Sequence, residues 1–215
     1  LFKEPLEREE CDICMLPLPF DTSEQKYQSC CGKILCNGCI YAAHRANNRC
    51  LCPFCRTPEH TSSGEMIKRI KKRVEGNDAQ AINMLGCYYS DGENGFPQDY
   101  EKAIELWLKA GELGHAESYC NIGVAYDNGQ GVERNMKKAK HYYELAAMGG
   151  DVFARHNLGN LEKVAGNVHR AVKHYIIAAG SGLDNSLKEI RDGFGFMIMC
   201  GVVTKDDFEK ALRAH

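Results

Sequence analysis

The chain has 215 residues, of which 44% are hydrophobic and 26% are charged, and its formal net charge is −2. This near balance of charge gives no reason to expect nucleic acid or an anionic membrane as a partner, unless charge is concentrated locally. No apolar run approaches the roughly 20 residues that cross a bilayer, so the sequence predicts no membrane span and no membrane partner.

The cysteines divide the chain into two parts. Nine of the twelve lie within the first 55 residues, and only Cys87, Cys120 and Cys200 lie beyond. A segment this small and this rich in cysteine cannot rely on a hydrophobic core, whereas the remainder has enough Ala, Leu, Ile and Tyr to build one. We therefore predict two domains, with the three later cysteines as buried small residues.

Eight of the N-terminal cysteines form four pairs. The pairs are Cys11–Cys14, Cys30–Cys31, Cys36–Cys39 and Cys52–Cys55. A two-residue spacer lets a tight turn place both thiolates about 2.3 Å from one tetrahedral zinc ion. The alternative is a disulfide framework, but such short loops make strained bridges. The sequence therefore favours zinc over disulfides. Charged residues, and not the apolar core of a signal peptide, follow Leu1, so we expect an intracellular protein, cytoplasmic or nuclear.

The order and spacing of these pairs resemble those of RING fingers, from Cys11 to Arg56. The segment from Cys52 to Arg56, which reads Cys-Pro-Phe-Cys-Arg, is similar to the last knuckle of that family. The resemblance implies a cross-brace with two structural zinc ions. It assigns one ion to Cys11, Cys14, Cys36 and Cys39, and the other to Cys30, Cys31, Cys52 and Cys55.

The fourth ligand position departs from the common RING pattern. Many RING fingers read Cys-Gly-His there, whereas this chain reads Cys31-Gly32-Lys33, and a protonated lysine cannot ligate zinc. An all-cysteine variant that uses Cys30 resolves this, because Gly32 eases the sharp turn that adjacent ligands need. The reserve ligands are His44, which we expect to be a polar helix residue, and Cys50, a bystander thiol.

The RING resemblance also implies an activity, that of a ubiquitin-protein ligase which docks a ubiquitin-conjugating enzyme and acts by orientation, without a nucleophile of its own. The family's docking positions are occupied by Ile13, Pro53 and Arg56. The alternative is that Ile13 and Pro53 only pack the knuckles and that Arg56 is a solvated charge. Ala43 stands where the family often has a bulky side chain, which predicts low affinity for the conjugating enzyme.

A polar stretch with turn formers follows Arg56 and predicts a short linker. Next, Met66 to Val74 has the spacing of an amphipathic helix whose other face is basic. A nuclear-import signal or a phosphate-binding stripe is one interpretation; a helix that caps the following repeats is the other, favoured by the regular apolar spacing. We assign residues 1–57 to the zinc module, 58–77 to the linker and basic helix, and 78–215 to the repeats.

Residues 78–215 repeat with an interval of 36 or 37 residues. The dipeptides Leu85-Gly86, Ile122-Gly123 and Leu158-Gly159 mark the first helix of each unit, and aromatic residues led by Trp107 mark the second, where we expect them in the core. The units resemble Sel-1-like repeats, which implies a helical solenoid that binds protein partners. A partial fourth unit is predicted to end in a helix from Phe208 to Arg213, with Thr204 and Asp207 as a capping box.

The predicted fold is therefore mainly α, a small two-zinc module followed by a solenoid of three repeats and part of a fourth. The leading hypothesis is a ligase in which the zinc module binds the conjugating enzyme and the repeats hold a substrate or partner protein. A non-catalytic scaffold with a structural zinc module is the alternative. Binding of nucleic acid by the basic helix is a third, weaker hypothesis.

Overall fold

The computed structural model of the chain describes residues 9–19, 22–47 and 50–199. These residues form two compact units, which divide between Leu113 and Gly114. The predicted helix from Phe208 to Arg213 and its capping box, together with Cys200, lie outside the described residues. None of the helices in the described part of the chain is long and apolar enough to cross a bilayer.

The cysteine module is built on a small hairpin and one helix. Strands β1 (Gln25–Gln28) and β2 (Lys33–Cys36) are antiparallel, a 3-10 turn (Thr22–Glu24) precedes them, and helix α1 (Asn37–Asn47) follows. Among the described residues the core of the module is small: Cys11, Leu18, Leu35 and Ile40 are buried together, with Ile34 and other cysteines packed around them. A core this small cannot hold the module together without a further source of stability.

Helix α2 (Ser63–Glu75) begins three residues earlier than the predicted amphipathic segment. Ser62 is its N-cap and accepts a hydrogen bond from the Glu65 amide, which explains the earlier start. Ile70 is buried, and Val74 packs against the core of the first helix pair. The C-terminal part of the apolar face therefore packs on the first repeat, and Lys68, Lys71 and Lys72 are exposed.

Six helices of equal length follow as three pairs, and a longer helix packs against the last of them. They are α3 (Ala79–Asp91), α4 (Tyr100–Glu112), α5 (Ala116–Asn128), α6 (Met136–Met148), α7 (Val152–Val164), α8 (Val168–Gly180) and α9 (Asp184–Met199). Within each pair the helices pack closely, and α9 contributes Ile190 to a core shared with α8. The predicted mainly helical, solenoid-like fold is confirmed.

Glycine allows the close approach within each helix pair. A Cβ atom at Gly123 would lie 2.5 Å from a ring carbon of Tyr143, and one at Gly159 would lie 2.5 Å from Tyr175. Real Cβ atoms do not approach other atoms so closely, so only glycine lets these rings lie flat on the neighbouring helix. Trp107 makes the same contact with Gly86 and is buried, as predicted.

Candidate functional site

Two groups of four cysteines lie within the module. The first contains Cys11, Cys14, Cys36 and Cys39, and the second contains Cys30, Cys31, Cys52 and Cys55; within each group all sulfur atoms lie within 4.8 Å of one another. These are the two sets that the RING resemblance implies, and pairs from the two sets alternate along the chain. We call them the first and the second tetrad.

The sulfur spacing suits a tetrahedral metal. Four sulfurs about 2.3 Å from zinc stand about 3.8 Å apart at the corners of a tetrahedron. The Sγ atoms of Cys14 and Cys36 are 3.9 Å apart, and those of Cys31 and Cys52 are 3.8 Å apart. The residues present therefore fit a zinc ion in each tetrad.

The turns that carry the tetrads have nearly the same backbone geometry in both knuckles. The amides of Met15 and Arg56 each donate to the carbonyl four residues earlier, those of Cys11 and Cys52, at 2.9 Å in both cases. Met15 and Arg56 both have positive φ, 57° and 62°. Nothing in the sequence predicted this strain, because neither residue is a glycine or asparagine.

The adjacent pair Cys30–Cys31 is accommodated by the turn between β1 and β2. The amides of Cys31 and Gly32 both donate to the Gln28 carbonyl, at 3.0 and 2.7 Å, and Gly32 has a φ of 76°. The Sγ atoms of Cys30 and Cys55 are 3.4 Å apart. Gly32, which the sequence predicted to ease a sharp turn, is therefore in a conformation that other residues rarely adopt.

Electrostatics within the tetrads favour a bound cation. Burial opposes ionisation of the Cys55 thiol, but hydrogen bonds from Thr57 and from neighbouring thiols outweigh it and lower its pKa to about 6. Burial and neighbouring thiols raise the pKa of Cys39 to about 12 and, with less effect, that of Cys31 to about 11. Four thiolates this close repel one another, so a divalent cation would displace the remaining protons.

The two reserve ligands do not join a tetrad. His44 lies on α1 with its Nε2 atom 3.7 Å from an oxygen of Glu59. Cys50 is exposed and belongs to neither group of sulfurs within the described residues. This placement matches the roles that the sequence predicted for them, a polar helix residue and a bystander thiol.

The knuckles expose apolar side chains. Ile13 is 41% exposed, and Phe54, at the equivalent position of the other knuckle, is 47% exposed. Lys33 links the two knuckles, because its Nζ atom is 2.9 Å from an oxygen of Asp12 and 5.5 Å from the centre of the Phe54 ring. Both apolar side chains are therefore accessible to a partner molecule.

Three further exposed apolar side chains of the module were not predicted from the sequence. Met15, Leu16 and Tyr41 are each more than 60% exposed, although they are large and apolar. Of the predicted docking residues, Pro53 is half-buried and Arg56 is exposed. The hydrophobic pattern did not reveal Met15 and Leu16, since exposure in a knuckle turn follows no helical or strand period. Tyr41 lies on the exposed side of α1.

The third repeat replaces an aromatic cluster with a charged one. In the second repeat Tyr119 and Tyr126 each stack on Tyr142. The positions 36 residues after Tyr119 and Tyr126 hold Arg155 and Glu162, both buried. The glycines and core aromatics by which the repeats align do not include these positions, so the repeat pattern did not predict the change.

Glu162 is the centre of this charged cluster. One carboxylate oxygen is 2.7 Å from Lys140 Nζ and 3.5 Å from Arg170 Nη2. The other accepts a hydrogen bond from the side-chain Nδ2 atom of Asn167 at 2.8 Å. Although burial raises the pKa of Glu162, these partners outweigh it and lower that pKa below its usual value. The contacts tie α6 and α8 to α7.

Substitution of Glu162 by Gln is expected to lower the free energy of unfolding by about 1–3 kcal/mol, because two cations lose their shared carboxylate. Urea denaturation followed by helical circular dichroism measures the change. Glu189→Gln is the matched control: Glu189 pairs with Lys163 at 2.7 Å on an exposed surface, where the loss should be at most about 1 kcal/mol. Equal losses in the two variants would contradict the role assigned to Glu162.

The fold and the tetrads together define a helical-repeat protein that carries a cysteine module able to hold two metal ions. Residues 79–115, 116–151 and 154–183 match the family model described as Sel1 repeat. These three segments are therefore Sel1 repeats, as the sequence predicted, and each spans one helix pair or most of it. No RING family model matches the chain.

Solved structures support the fold of the repeats. The Sel1 repeat protein from Oxalobacter formigenes is 32% identical with a TM-score of 0.58, over 69% of this chain and 61% of that chain. The c5321 antigen of uropathogenic Escherichia coli, which displays an SLR fold, is 24% identical with a TM-score of 0.58, over 75% of this chain and 32% of that chain. The second likeness concerns the fold alone.

Curated relatives share part of their length with the chain. The "ERAD-associated E3 ubiquitin-protein ligase component HRD3B" of Arabidopsis thaliana is 30% identical over 111 residues, 51% of this chain and 17% of the relative. The "Cytochrome c oxidase assembly factor 7A" of Xenopus laevis is 36% identical over 69 residues, 32% of this chain and 30% of the relative. The chain thus spans less than a third of either relative.

Proposed function

We propose that the protein is a RING-type ubiquitin-protein ligase. The observation that carries the proposal is the interleaving of two cysteine tetrads, because it brings two exposed knuckles together on one small module. Ile13 and Phe54 would contact the conjugating enzyme, and Pro53 would stiffen the second knuckle. Phe54 is added to the residues that the sequence suggested.

The chemistry of such a module is orientation. Zinc bound by four cysteines has no open position for water, so its contribution would be to hold the knuckles in place. Arg56 follows the last cysteine and is exposed, and a guanidinium can donate to backbone carbonyls of the conjugating enzyme and of ubiquitin at once. Restricting the thioester to a reactive arrangement would accelerate transfer without a covalent intermediate on this chain.

The repeats would hold the substrate or a partner protein. Sel1 repeats build an extended surface in which each helix pair contacts its neighbours, and such surfaces bind proteins. HRD3B, which is similar over about half of this chain, is itself named as a ligase component. That name supports a role for this chain in an assembly that transfers ubiquitin. The similarity covers 17% of the relative's own length.

A non-catalytic scaffold is the second candidate, and one residue favours it. Ala43 lies half-buried on α1, at the position where active RING fingers often place a bulky docking side chain. With only a methyl group there, the face would bury less apolar surface against a conjugating enzyme. In the scaffold alternative the exposed knuckles would bind another protein instead.

Autoubiquitination with a panel of conjugating enzymes tests the proposal. We expect Ile13→Ala and Arg56→Ala each to reduce ubiquitin transfer at least about tenfold, the effect of losing one good contact of about 1.4 kcal/mol. Arg191→Ala, an exposed arginine on α9, is the matched control and should transfer ubiquitin at the rate of the unmodified chain.

The Arg56 position needs a second control. Because Arg56 has a φ of 62°, alanine there is strained, and a loss of activity could come from a distorted knuckle. Arg56→Gly removes the side chain and relieves the backbone, so it should lose as much activity as Arg56→Ala. If no conjugating enzyme in the panel supports transfer, the scaffold alternative replaces the ligase.

A further inference from the structure

The cysteine module is attached to the capping helix α2 by directed hydrogen bonds. Arg73 Nη2 donates to the Cys30 carbonyl at 2.9 Å. Arg69 Nη1 donates to the Pro58 carbonyl at 2.9 Å, and Pro58 is bridged to Leu51 across the base of the second knuckle. Helix α2 therefore contacts both chain segments that supply the second tetrad.

A further contact extends to the first repeat. Tyr27 Oη donates to Asp78 Oδ2 at 2.7 Å, and Asp78 Oδ1 accepts from the Ala81 amide at the start of α3, at 3.1 Å. A Cβ atom at Gly32 would lie 2.6 Å from the same Asp78 oxygen. One carboxylate thus caps α3 and anchors the hairpin that carries Cys30 and Cys31.

Polar and charged residues line a space beside this contact. A cavity of about 400 Å³ remains beside the second tetrad, and most of the residues around it are polar or charged. They are Ser29, Cys30, Thr57, Arg69, Lys72, Arg73, Gly76 and Asp78. The hydrogen bonds of Arg69 and Arg73 to the module therefore border a polar space, not an apolar core.

Charge also relates α2 to the second tetrad. Four thiolates around one divalent cation carry a net negative charge, and three cations of α2 line the cavity beside this tetrad, Arg69, Lys72 and Arg73. Their attraction stabilises the occupied tetrad more than an empty, partly protonated one. Groups that orient metal ligands without touching the metal often contribute strongly to metal affinity.

We propose that zinc binding at the second tetrad and the capping of the first repeat by α2 are coupled, with Arg73, Tyr27 and Asp78 as the positioning residues. Zinc at the second tetrad orders α2 and the start of α3, and those helices in turn retain the ion. The substrate-binding repeats thereby respond to the metal content of the module. The proposal rests on zinc binding by the tetrad, and it requires no ubiquitin transfer.

Zinc release from the zinc-loaded full chain tests one direction of the coupling. The Arg73→Gln chain should release one of its two zinc ions to a chelating dye at least about tenfold faster than the unmodified chain. This is the typical effect of losing a group that orients a metal ligand without touching the metal. Alkylation with peptide mapping identifies the emptied tetrad, which should be the one containing Cys30 and Cys31. Lys68→Gln, on the exposed face of the same helix, is the matched control.

A second pair of variants separates coupling from misfolding. Tyr27→Phe removes only the hydroxyl that reaches Asp78, and Tyr41→Phe makes the same change at a side chain that is 68% exposed. Tyr27→Phe should accelerate release from the second tetrad, and Tyr41→Phe should not. Wild-type release rates in both Arg73→Gln and Tyr27→Phe would overturn the proposal, as would equal acceleration by Lys68→Gln.

Hydrogen exchange tests the other direction. When only the second tetrad of the unmodified chain has been emptied, the amides of α2 and of the first turn of α3 should exchange at least about tenfold faster. The amides of α7 and α8 should not change. Unaltered exchange in α2 overturns the proposal. An inactive chain that still shows the coupling would refute the ligase and leave the coupling intact.

Discussion

Removal of zinc by a strong chelator is expected to unfold the cysteine module, residues 9–59, while helices α5 to α8 remain folded. The described core of the module is limited to a few side chains around Leu35, and a structural zinc ion contributes on the order of 10 kcal/mol to a domain of this kind. Without the metal, the thiolates of each tetrad also repel one another.

NMR dispersion of the module's amides and helical circular dichroism measure this outcome together. We expect the amide signals of the module to lose their dispersion, while most of the helical circular dichroism is retained. The mass of the chain in native mass spectrometry should fall by that of two zinc ions. Treatment with a chelator already saturated with zinc is the control. Persistent amide dispersion after the metal has been removed would show that the tetrads are not structural zinc sites.

Tyr143→Ala is expected to lower the free energy of unfolding of the repeats by about 3–5 kcal/mol, the range for large buried side chains. Tyr143 is 2% exposed, and its ring lies directly on Gly123. Neighbouring helices cannot fill the space because α5 and α6 already pack at close range, so a cavity remains. The other two repeats have the same glycine–aromatic contact, so this source of stability is common to all three repeats.

Tyr143→Phe is the matched variant. It keeps the ring and removes only the hydroxyl, whose distance to an Asp127 oxygen is 3.4 Å, so we expect a loss of less than about 1 kcal/mol. Urea denaturation of the zinc-loaded chain, followed by circular dichroism, measures both variants. Similar losses for Ala and Phe would mean that the hydrogen bond, and not the packing of the ring, stabilises the pair.

The repeats could be predicted in detail because each one gives the same physical signal. Glycine is required where an aromatic ring lies flat on a helix, so Gly86, Gly123 and Gly159 recur with Trp107 and its equivalents. The buried cluster around Glu162 could not be predicted in the same way, since a buried charge depends on partners from three helices. Only the packed structure brings those partners together.

The connection between the cysteine module and the repeats was predicted less completely. The polar composition after Arg56 predicted a linker, yet Pro58 and Glu59 belong to the folded module, through a backbone bridge and an ion pair with Lys26. The sequence shows that α2 is amphipathic, but its hydrogen bonds to the module come from the basic face. Hydrophobic periodicity does not show which basic side chains of such a face form hydrogen bonds with the module.

The proposed ligase is tested most directly by single-turnover discharge of ubiquitin from preloaded conjugating enzymes to free lysine. This measurement needs no knowledge of the substrate that the repeats bind. We expect the zinc-loaded chain to accelerate discharge from at least one enzyme of a panel, and Ile13→Ala to abolish most of the acceleration. Discharge at the rate seen without the chain, for every enzyme and with two zinc ions bound, would contradict the proposed function.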